Sequence, residues 1–495
     1  SEGHRMSNLA TLIAAAAKSH PQNEFGTLES SQPLGAAVGQ AARLALHLQG
    51  MGLGRGTRWT LVGRTGNDYM LTWLAAQLAG VELALVNPEY PDELMAAMLD
   101  DLQPAAIAWL DRPAGDLAQR AVPQLDLRAW WAGHRASGAG GAALDGLQGL
   151  ACDGGEIASY IHTSGTTGRP KFCALSHEYL LRLGRFIADT LMLGAADRVF
   201  APLPMFHINP LGYGLIGSLT ARASILGTDK FSASKFWPTV KERKISVLIS
   251  HTAPSIILAT STTPDDAKGH GLRAAFGMEA TLCGLFGIPV GVGGYGSTES
   301  AGLSHAWHFR AGDKQMAKEG ISNYAGRARY DVDWTVSGDG EILTRDKAGR
   351  AIFSGYVREG KVVSPLDPVG WFHTGDKGRI DVYGNLVFIE RMNEAIRVKG
   401  EYVPIEFVET ALTQCASLGN FALWRVDSST TGHEVVVYTE SGAVSLDEVR
   451  SAVAPLPRFM QPLRVIRVAE LPRTGVGKVQ RGQLNALPEL SSLSL

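Results

Sequence analysis

Cysteine is scarce: Cys152, Cys173, Cys283 and Cys415 are the only four in 495 residues. No two of them form a C-x-x-C pair, so neither a zinc site nor a disulfide framework is read, and a reducing compartment fits best. Charge of one sign is also missing. Lys plus Arg number 46 against 48 Asp plus Glu, the formal net charge is −2, and no long basic run occurs. That excludes the basic footprint of a nucleic-acid binder. No apolar run approaches the roughly 18 residues of a membrane span. No basic-then-apolar leader pattern opens the chain, and Ser1-Glu2-Gly3-His4-Arg5 before Met6 are set aside. The expectation from these absences is a cytoplasmic protein with no nucleic-acid partner and no membrane partner.

What is present is ordinary globular composition, 45% apolar and 19% charged. The length is too great for a single core. Helix and strand alternate from about 34 to 110. Ala36 to Leu48 reads as a helix ended by Gly50, Arg58 to Val62 as a strand, and Tyr69 to Leu78 as a helix closed by Gly80. Val81 to Val86 is the next strand, Pro91 opens a helix through Leu102, and Ala105 to Leu110 is a further strand. Such alternation predicts a parallel sheet with helices on both faces. Residues 111–155, rich in Gly and Ala, read as an irregular surface connection, packed in part through Trp130-Trp131. Arg198 to Leu203, Ile245 to Ser250, Arg273 to Phe276 and Ile288 to Val292 are later short strands. From about 324, short strands with Gly turns predict a β-rich subdomain. The pattern changes again at Glu390-Arg391-Met392-Asn393-Glu394. The predicted domains are 1–392, including the β-rich part at about 324–392, and 393–495.

One stretch stands apart: Thr163-Ser164-Gly165-Thr166-Thr167-Gly168-Arg169-Pro170-Lys171. Glycines let backbone N–H groups crowd an anion, and hydroxyls add donors. Lys171 places a cation at the rim. The stretch reads as a phosphate grip, with a plain Ser/Thr/Gly loop as the alternative. It is not the G-x-x-x-x-G-K-[ST] loop, because it holds no Gly-Lys-Ser/Thr.

Four further stretches follow it in order: Pro204–Asn209, Tyr295–Glu299, Gly370-Trp371-Phe372-His373-Thr374-Gly375-Asp376 and Pro472-Arg473-Thr474-Gly475-Val476-Gly477-Lys478. Together the set resembles the adenylate-forming superfamily of acyl-CoA synthetases, adenylation domains and luciferases, over nearly the whole chain. Leu203 to Asn209, Phe231 to Trp237 and Leu272 to Gly277 look most like its crotonobetaine/carnitine–CoA ligase branch. The resemblance implies an α/β fold: a large N-terminal domain of doubly wound sheets with a small β-barrel-like subdomain, and a small mobile α+β C-terminal domain. It also implies two half-reactions. A carboxylate attacks the α-phosphate of Mg-ATP to give acyl-AMP, and CoA then displaces AMP to give a thioester. The implied small molecules are a carboxylic acid, ATP or acyl-AMP, CoA and Mg²⁺; a homodimer is left open.

Site roles carry over residue by residue on the same terms. Thr163, Ser164, Gly165, Thr166, Thr167, Gly168 and Lys171 would hold the β- and γ-phosphates. Tyr295, with Gly296 and Ser297, would lie along the adenine, and Thr298 would donate to the α-phosphate. Glu299 would help hold Mg²⁺, which takes oxygen ligands. Asp376 would accept the ribose hydroxyls, and Arg391 would reach the same region. Lys478 would be the lysine of adenylation, and His207 would gate the acyl pocket. That pocket would be lined by His207, Asn209, His251, Thr252, Gly277 and Ser300 to Gly302. Lys399, Gly400 and Glu401 would line the CoA side, and Asn393 would be the hinge. Taken singly, several of these have plainer readings: Tyr295 a buried tyrosine, Thr298-Glu299 a helix start, Asp376 a turn aspartate, Lys478 a solvated lysine, His207 a packed core residue.

Three departures from the family pattern stand out. Phe172-Cys173 replace the usual Gly-Val after Lys171, which predicts a stiffened or shifted phosphate loop. The segment after Gly277 is shortened. The hinge is Asn393 where Asp or Lys is usual, and Asn tolerates the backbone angles a hinge needs. The first two raise an alternative, an enzyme that only forms thioesters from preformed acyl-adenylate. Acyl transfer to a carrier protein and a non-catalytic scaffold are the other readings. No carrier-protein segment is read in the chain, which favours free CoA.

Overall fold

The computed structural model describes residues 7–111, 115–134, 144–163, 170–311, 324–391, 396–473 and 479–495. The chain divides into two units. One comprises Ser1–Pro88, Leu99–His162 and Phe172–Glu390; the other comprises Glu89–Met98, Thr163–Lys171 and Arg391–Leu495.

In the first unit the alternating pattern builds a parallel sheet. Strand Arg58–Val62 lies between Glu82–Val86 and Ala106–Trp109, with Leu61 beside both Leu85 and Ala108. Glu82–Val86 pairs on its other side with Ile157–Thr163. These strands are buried on both faces, which explains their near-continuous apolar runs. Helix Asn67–Ala79 is buried from Tyr69 to Ala79 and stops at Gly80, whose φ of +77° only glycine adopts cheaply.

A second sheet holds the parallel strands Glu24–Thr27, Ser224–Gly227, Arg198–Ala201, Val247–Ile249, Ala274–Phe276 and Val290–Tyr295, in that spatial order. Beyond Val290–Tyr295 it turns antiparallel through His305–Arg310 and Tyr324–Ala328. It continues through Leu386–Arg391, Phe372–Ile380, Glu341–Asp346 and Val332–Val336. Most of the β-rich stretch is thus an antiparallel extension of the second sheet, while Gly355–Arg358 and Lys361–Val363 join the first sheet beside Lys171–Ser176.

The 111–155 connection is more ordered than expected. Gln124–Asp126 adds a parallel strand beside Ala106–Trp109, and Leu127–His134 is a helix. Trp131 is buried there and its Nε1–H donates to Thr72 Oγ1 at 2.9 Å. Removing such an indole from water, on the order of 200 Å², is worth about 5 kcal/mol at ~25 cal/mol per Å². Glycine and alanine content around this helix hid it from a pattern reading.

In the second unit, Gly432–Thr439 is flanked by Phe421–Ser428 and, in parallel, by Arg464–Arg467. Helices Ile405–Leu412 and Leu446–Val453 accompany these strands. Ser445 caps the latter by accepting from the Glu448 N–H. Among the described residues, no helix is long and apolar enough to cross a membrane.

Candidate active site

In open α/β sheets ligands bind outside the carboxyl ends of the strands. Several predicted site residues of the first unit follow such ends. Met205 to His207 follow Arg198–Ala201, Ser250 and His251 follow Val247–Ile249, Gly277 follows Ala274–Phe276, and Gly296 and Ser297 follow Val290–Tyr295. His162 is the penultimate residue of strand Ile157–Thr163.

The segment after Tyr295 is a tight turn. Gly302 N–H donates to Ser297 O at 2.8 Å, and Ser300 N–H to Ser297 Oγ at 3.1 Å. Ala301 sits at φ +64° and Gly302 at φ +72°. A left-handed alanine costs about 1–2 kcal/mol, so this turn is held from outside. Arg329 does much of that: its Nη1 donates to Ala301 O at 2.8 Å and to Leu303 O at 3.3 Å. Arg329 is itself paired with Asp331 at 2.8 Å, both side chains 1% exposed. Tyr179 Oη donates to Thr298 O at 2.7 Å and Tyr213 Oη to Gly302 O at 2.6 Å. Gly296 cannot carry a side chain, since a Cβ would stand 2.4 Å from Gly302 O.

The predicted adenine and ribose residues touch. Tyr295 Oη donates to Asp376 Oδ2 at 2.8 Å, and both residues are buried. The Tyr295 ring stacks on Phe388 at 6.0 Å and 24°. Asp376 is placed by its own turn: Thr374 Oγ1 donates to Ile342 O at 2.6 Å and accepts from the Asp376 N–H at 3.1 Å. The Gly375 N–H donates to Glu341 Oε1 at 2.8 Å. Thr298 and Glu299 are buried beside it in sequence. Tyr356 Oη donates to Glu299 Oε1 at 3.0 Å. Burial first, then the Glu299 charge, holds the Tyr356 phenol well above its ordinary range, so it stays a donor.

On the acyl side, Asn209 opens the π-helical run Asn209–Ile216. Its Nδ2 donates to Ser250 O at 3.1 Å, while its Oδ1 is buried with no hydrogen-bond partner among the described residues. Gly277, at φ +77°, backs onto the same peptide: a Cβ there would meet Ser250 O at 2.6 Å. Tyr213 links the helix to both Phe276, edge-on at 5.0 Å, and Gly302. His207 lies in an aromatic group with Phe206 at 4.7 Å and His162 at 6.4 Å. His251 is exposed at the start of helix Thr252–Ser261.

The loop that Phe172 is expected to stiffen or shift lies for the most part outside the described residues. Phe172 itself is buried within strand Lys171–Ser176, and its ring meets His162 edge-on at 6.2 Å. His162 Nε2 accepts from the Asn87 N–H at 3.3 Å. The short segment after Gly277 forms the helix Ala280–Phe286, closed by Gly287 at φ +69°.

In the second unit Thr163 is buried and Lys171 half-buried. Lys399 and Gly400, at φ +52° and +86°, join strands Ile396–Val398 and Glu401–Val403. Two central residues with positive φ are what a two-residue hairpin turn asks for, so Gly400 has a structural reason besides the predicted ligand approach. Tyr90 is buried, and its hydroxyl is pushed far up by burial and then by the Glu401 charge. No sequence pattern pointed to Tyr90.

Ser164, Gly165, Thr166, Thr167, Gly168, Asn393 and Lys478 lie outside the described residues, as does the side chain of Arg391. Among the described residues no group of three or more His, Cys, Asp or Glu gathers to hold a metal. A lone buried carboxylate such as Glu299 nevertheless suits Mg²⁺, which is commonly bound by one or two carboxylates with phosphate oxygens and waters. A cavity of about 530 Å³ opens elsewhere in the first unit, lined among others by Thr27, Arg64, Tyr69, Lys230 and Phe231. It includes none of the predicted site residues.

A buried tyrosine–aspartate pair and a strained turn, placed just beyond the carboxyl ends of parallel strands, have the layout of an open-sheet α/β ligand site. The chain belongs to the AMP-binding enzyme family, whose model matches residues 37–357. It is 28% identical over 340 residues to a sulfoacetate–CoA ligase of Cupriavidus necator, covering 66% of each chain. It is 27% identical over 481 residues to 4-coumarate–CoA ligase 5 of Oryza sativa subsp. japonica, covering 90% of this chain and 87% of that one. A crotonobetaine/carnitine–CoA ligase of Escherichia coli O157:H7 is 27% identical over 353 residues, with 66% of each covered. The match thus spans a little under two thirds of some of these relatives. The fold is that of o-succinylbenzoate CoA synthetase from Bacillus subtilis, bound with a product analogue: TM-score 0.81, 19% identity, 98% of this chain and 99% of that one.

Proposed function

We infer that the protein is an acyl-CoA ligase that activates a carboxylic acid as its adenylate and transfers the acyl group to CoA. The observation that carries this is the Tyr295–Asp376 hydrogen bond beside the Thr298-Glu299 turn, on a chain of the AMP-binding family. Tyr295 offers a ring face to adenine. Asp376, oriented by Tyr295 and Thr374, accepts ribose hydroxyls. Thr298 donates to the α-phosphate. Glu299 would hold Mg²⁺, which neutralises phosphate charge when bound. Thr163 and Lys171, with the rest of that loop, hold the outer phosphates. Lys478 would neutralise charge that develops between the attacking carboxylate and the α-phosphate, a role worth on the order of 10²–10³ in rate. Lys399 to Glu401 serve the thiol substrate, and Arg391 and Asn393 mark the turning point between half-reactions.

Acyl specificity falls to His207, Asn209, His251, Gly277 and Gly302. The unpartnered Asn209 Oδ1 supports an acid that brings a hydroxyl or N–H donor. The named relatives act on acids as unlike as sulfoacetate and 4-coumarate, so the acid is not transferred from them. The buried setting of Phe172 supports the two-step reading over the thioester-only one.

A panel of acids assayed with ATP and CoA, beside the matching synthetic acyl-adenylates, tests the reading. Product from acid plus ATP is expected, with pyrophosphate exchange. Product from acyl-adenylates alone would establish the thioester-only alternative. Lys478→Ala is expected to abolish turnover of acid plus ATP and to spare thioester formation from acyl-AMP. Equal loss of both would refute the role given to Lys478.

A further inference from the structure

Asp376 stands on a distortion of its own strand. Between Glu341–Asp346 and Phe372–Ile380, Leu343 lies opposite His373 and Glu341 opposite Lys377. One strand advances two residues there, from 343 to 341, while the other advances four, from 373 to 377, so residues 374–376 bulge. Bulges re-aim side chains beside active sites and take backbone groups out of the ladder. Gly375, at φ +68°, has its N–H taken by a side chain, Glu341 Oε1 at 2.8 Å. The other oxygen of Glu341 meets His373 Nδ1 at 2.9 Å, and His373 Nε2 meets Asp367 Oδ2 at 3.4 Å. Asp367 is fixed in turn, since its Oδ1 accepts from the Val369 N–H at 3.0 Å and the Trp371 N–H at 2.9 Å. The Glu341 backbone is fixed as well: its N–H donates to Ser337 Oγ at 3.0 Å and its carbonyl accepts from the Ser337 N–H at 2.9 Å. Past the bulge the strands meet again, with the Gly378 N–H on Gly340 O at 3.0 Å.

We propose that Glu341 is a positioning residue for nucleotide binding: it props the 374–376 bulge so that Asp376 is aimed at the ribose, and His373 and Asp367 hold Glu341 in place. The inference rests on the ligase reading above, in which Asp376 receives the ribose. Two carboxylates face the two nitrogens of one imidazole, and only the imidazolium donates from both. The bond to Glu341 first, with burial opposing it and the bond to Asp367 assisting, raises the His373 pKa above its ordinary 6.5. The Asp339 carboxylate also feels the His373 charge. Lys377, opposite Glu341, runs its stem over Gly340, where a Cβ would stand 3.3 Å from Lys377 Cε. The prop is therefore complete below the raised pKa and loses its cation as pH rises through it.

The readout is the ratio of AMP affinity to 2′,3′-dideoxy-AMP affinity, measured calorimetrically on the full chain. The ratio isolates the ribose hydroxyls, and titration of the phosphate common to both ligands cancels. Glu341→Ala is expected to lower the ratio about tenfold, the size of one charge-assisted hydrogen bond, with dideoxy-AMP affinity unchanged. Glu341→Gln keeps an acceptor for the Gly375 N–H and should recover most of that loss. In wild type the ratio should fall as pH rises from about 6 to about 9, the range in which a histidine of raised pKa discharges. In His373→Gln it should stay level. An equal loss for both ligands in Glu341→Ala would make Glu341 a merely structural residue and overturn the inference. A loss in Glu341→Gln as large as in Glu341→Ala, or a level pH profile in wild type, would overturn it too. If the wild type binds the two ligands equally, the ribose role of Asp376 falls and this inference with it. If the wild type discriminates and Glu341→Ala discriminates as well, only this inference falls.

Discussion

The turn Ser297–Gly302 and the helical run Asn209–Ile216 adjoin through one residue pair, yet they are built in opposite ways. The turn is over-determined. Tyr179, Tyr213 and the buried Arg329 each hold one of its carbonyls, and this support keeps Ala301 in a left-handed conformation. The acyl side is secured by Asn209 to Ser250 O and by close packing at Gly277, and it leaves an acceptor unpaired. On the ligase reading, nucleotide chemistry is the same for every acid, and a rigid turn would serve all of them. The acid differs among relatives, and a region with few fixed hydrogen bonds can change its lining without undoing the fold.

The hardest test of that contrast is Arg329→Met. It removes the cation from a pair with 1% exposure on each side, and leaves Asp331 with only the half-buried Arg182 at 3.3 Å. Unpairing a buried charge costs about 3–5 kcal/mol. Urea unfolding is expected to show that loss, with nucleotide affinity falling as the turn relaxes. A cost under about 1 kcal/mol, the ordinary size of a point change, would mean that the turn is not held from outside.

Gly277→Ala probes the other side. Its Cβ would stand 2.6 Å from Ser250 O at a φ of +77°, a strain of about 1–2 kcal/mol. KM for the acid is expected to rise about tenfold, equivalent to ~1.4 kcal/mol, with AMP affinity unchanged. A matching loss of AMP affinity would erase the division between the two regions.

A further effect lies outside both. His177 is buried, accepts from the Leu9 N–H at 3.2 Å, and burial lowers its pKa from 6.5 to about 4. The folded state therefore refuses a proton that the unfolded state accepts. Its contribution is fully present above pH 6.5 and is lost as pH falls toward about 4, at up to ~1.4 kcal/mol per pH unit. Unfolding free energies at pH 7.5 and 5 should differ less in His177→Asn than in wild type. An equal pH dependence in both would remove His177 as the source.

Much of the fold was legible because periodicity and turn residues are local. The strand Arg58–Val62 was read to the residue, and the helix closed by Gly80 nearly so. Ends elsewhere slipped by a residue or two, as at Val247–Ile249, where the flanking polar residues extend the apolar run. The Tyr295–Glu299 and Thr374–Asp376 stretches were picked out by their resemblance to the adenylate-forming superfamily. Their supports did not. Arg329, Tyr356, Tyr179 and Tyr213 reach the turn from positions 28 to 119 residues away in sequence, and a tyrosine with a distant partner looks in sequence like any core tyrosine. Glu341 under Gly375 was hidden for the same reason.

Gly302 has one further consequence. Its N–H closes the nucleotide turn on Ser297 and its carbonyl receives Tyr213 from the acyl-side helix. One residue therefore joins the two regions. On the ligase reading, Asn209 or His251 can be changed without touching a bond of the turn, whereas a change at Tyr213 reaches the turn directly. Libraries that seek new acids should diversify the former and leave the latter alone.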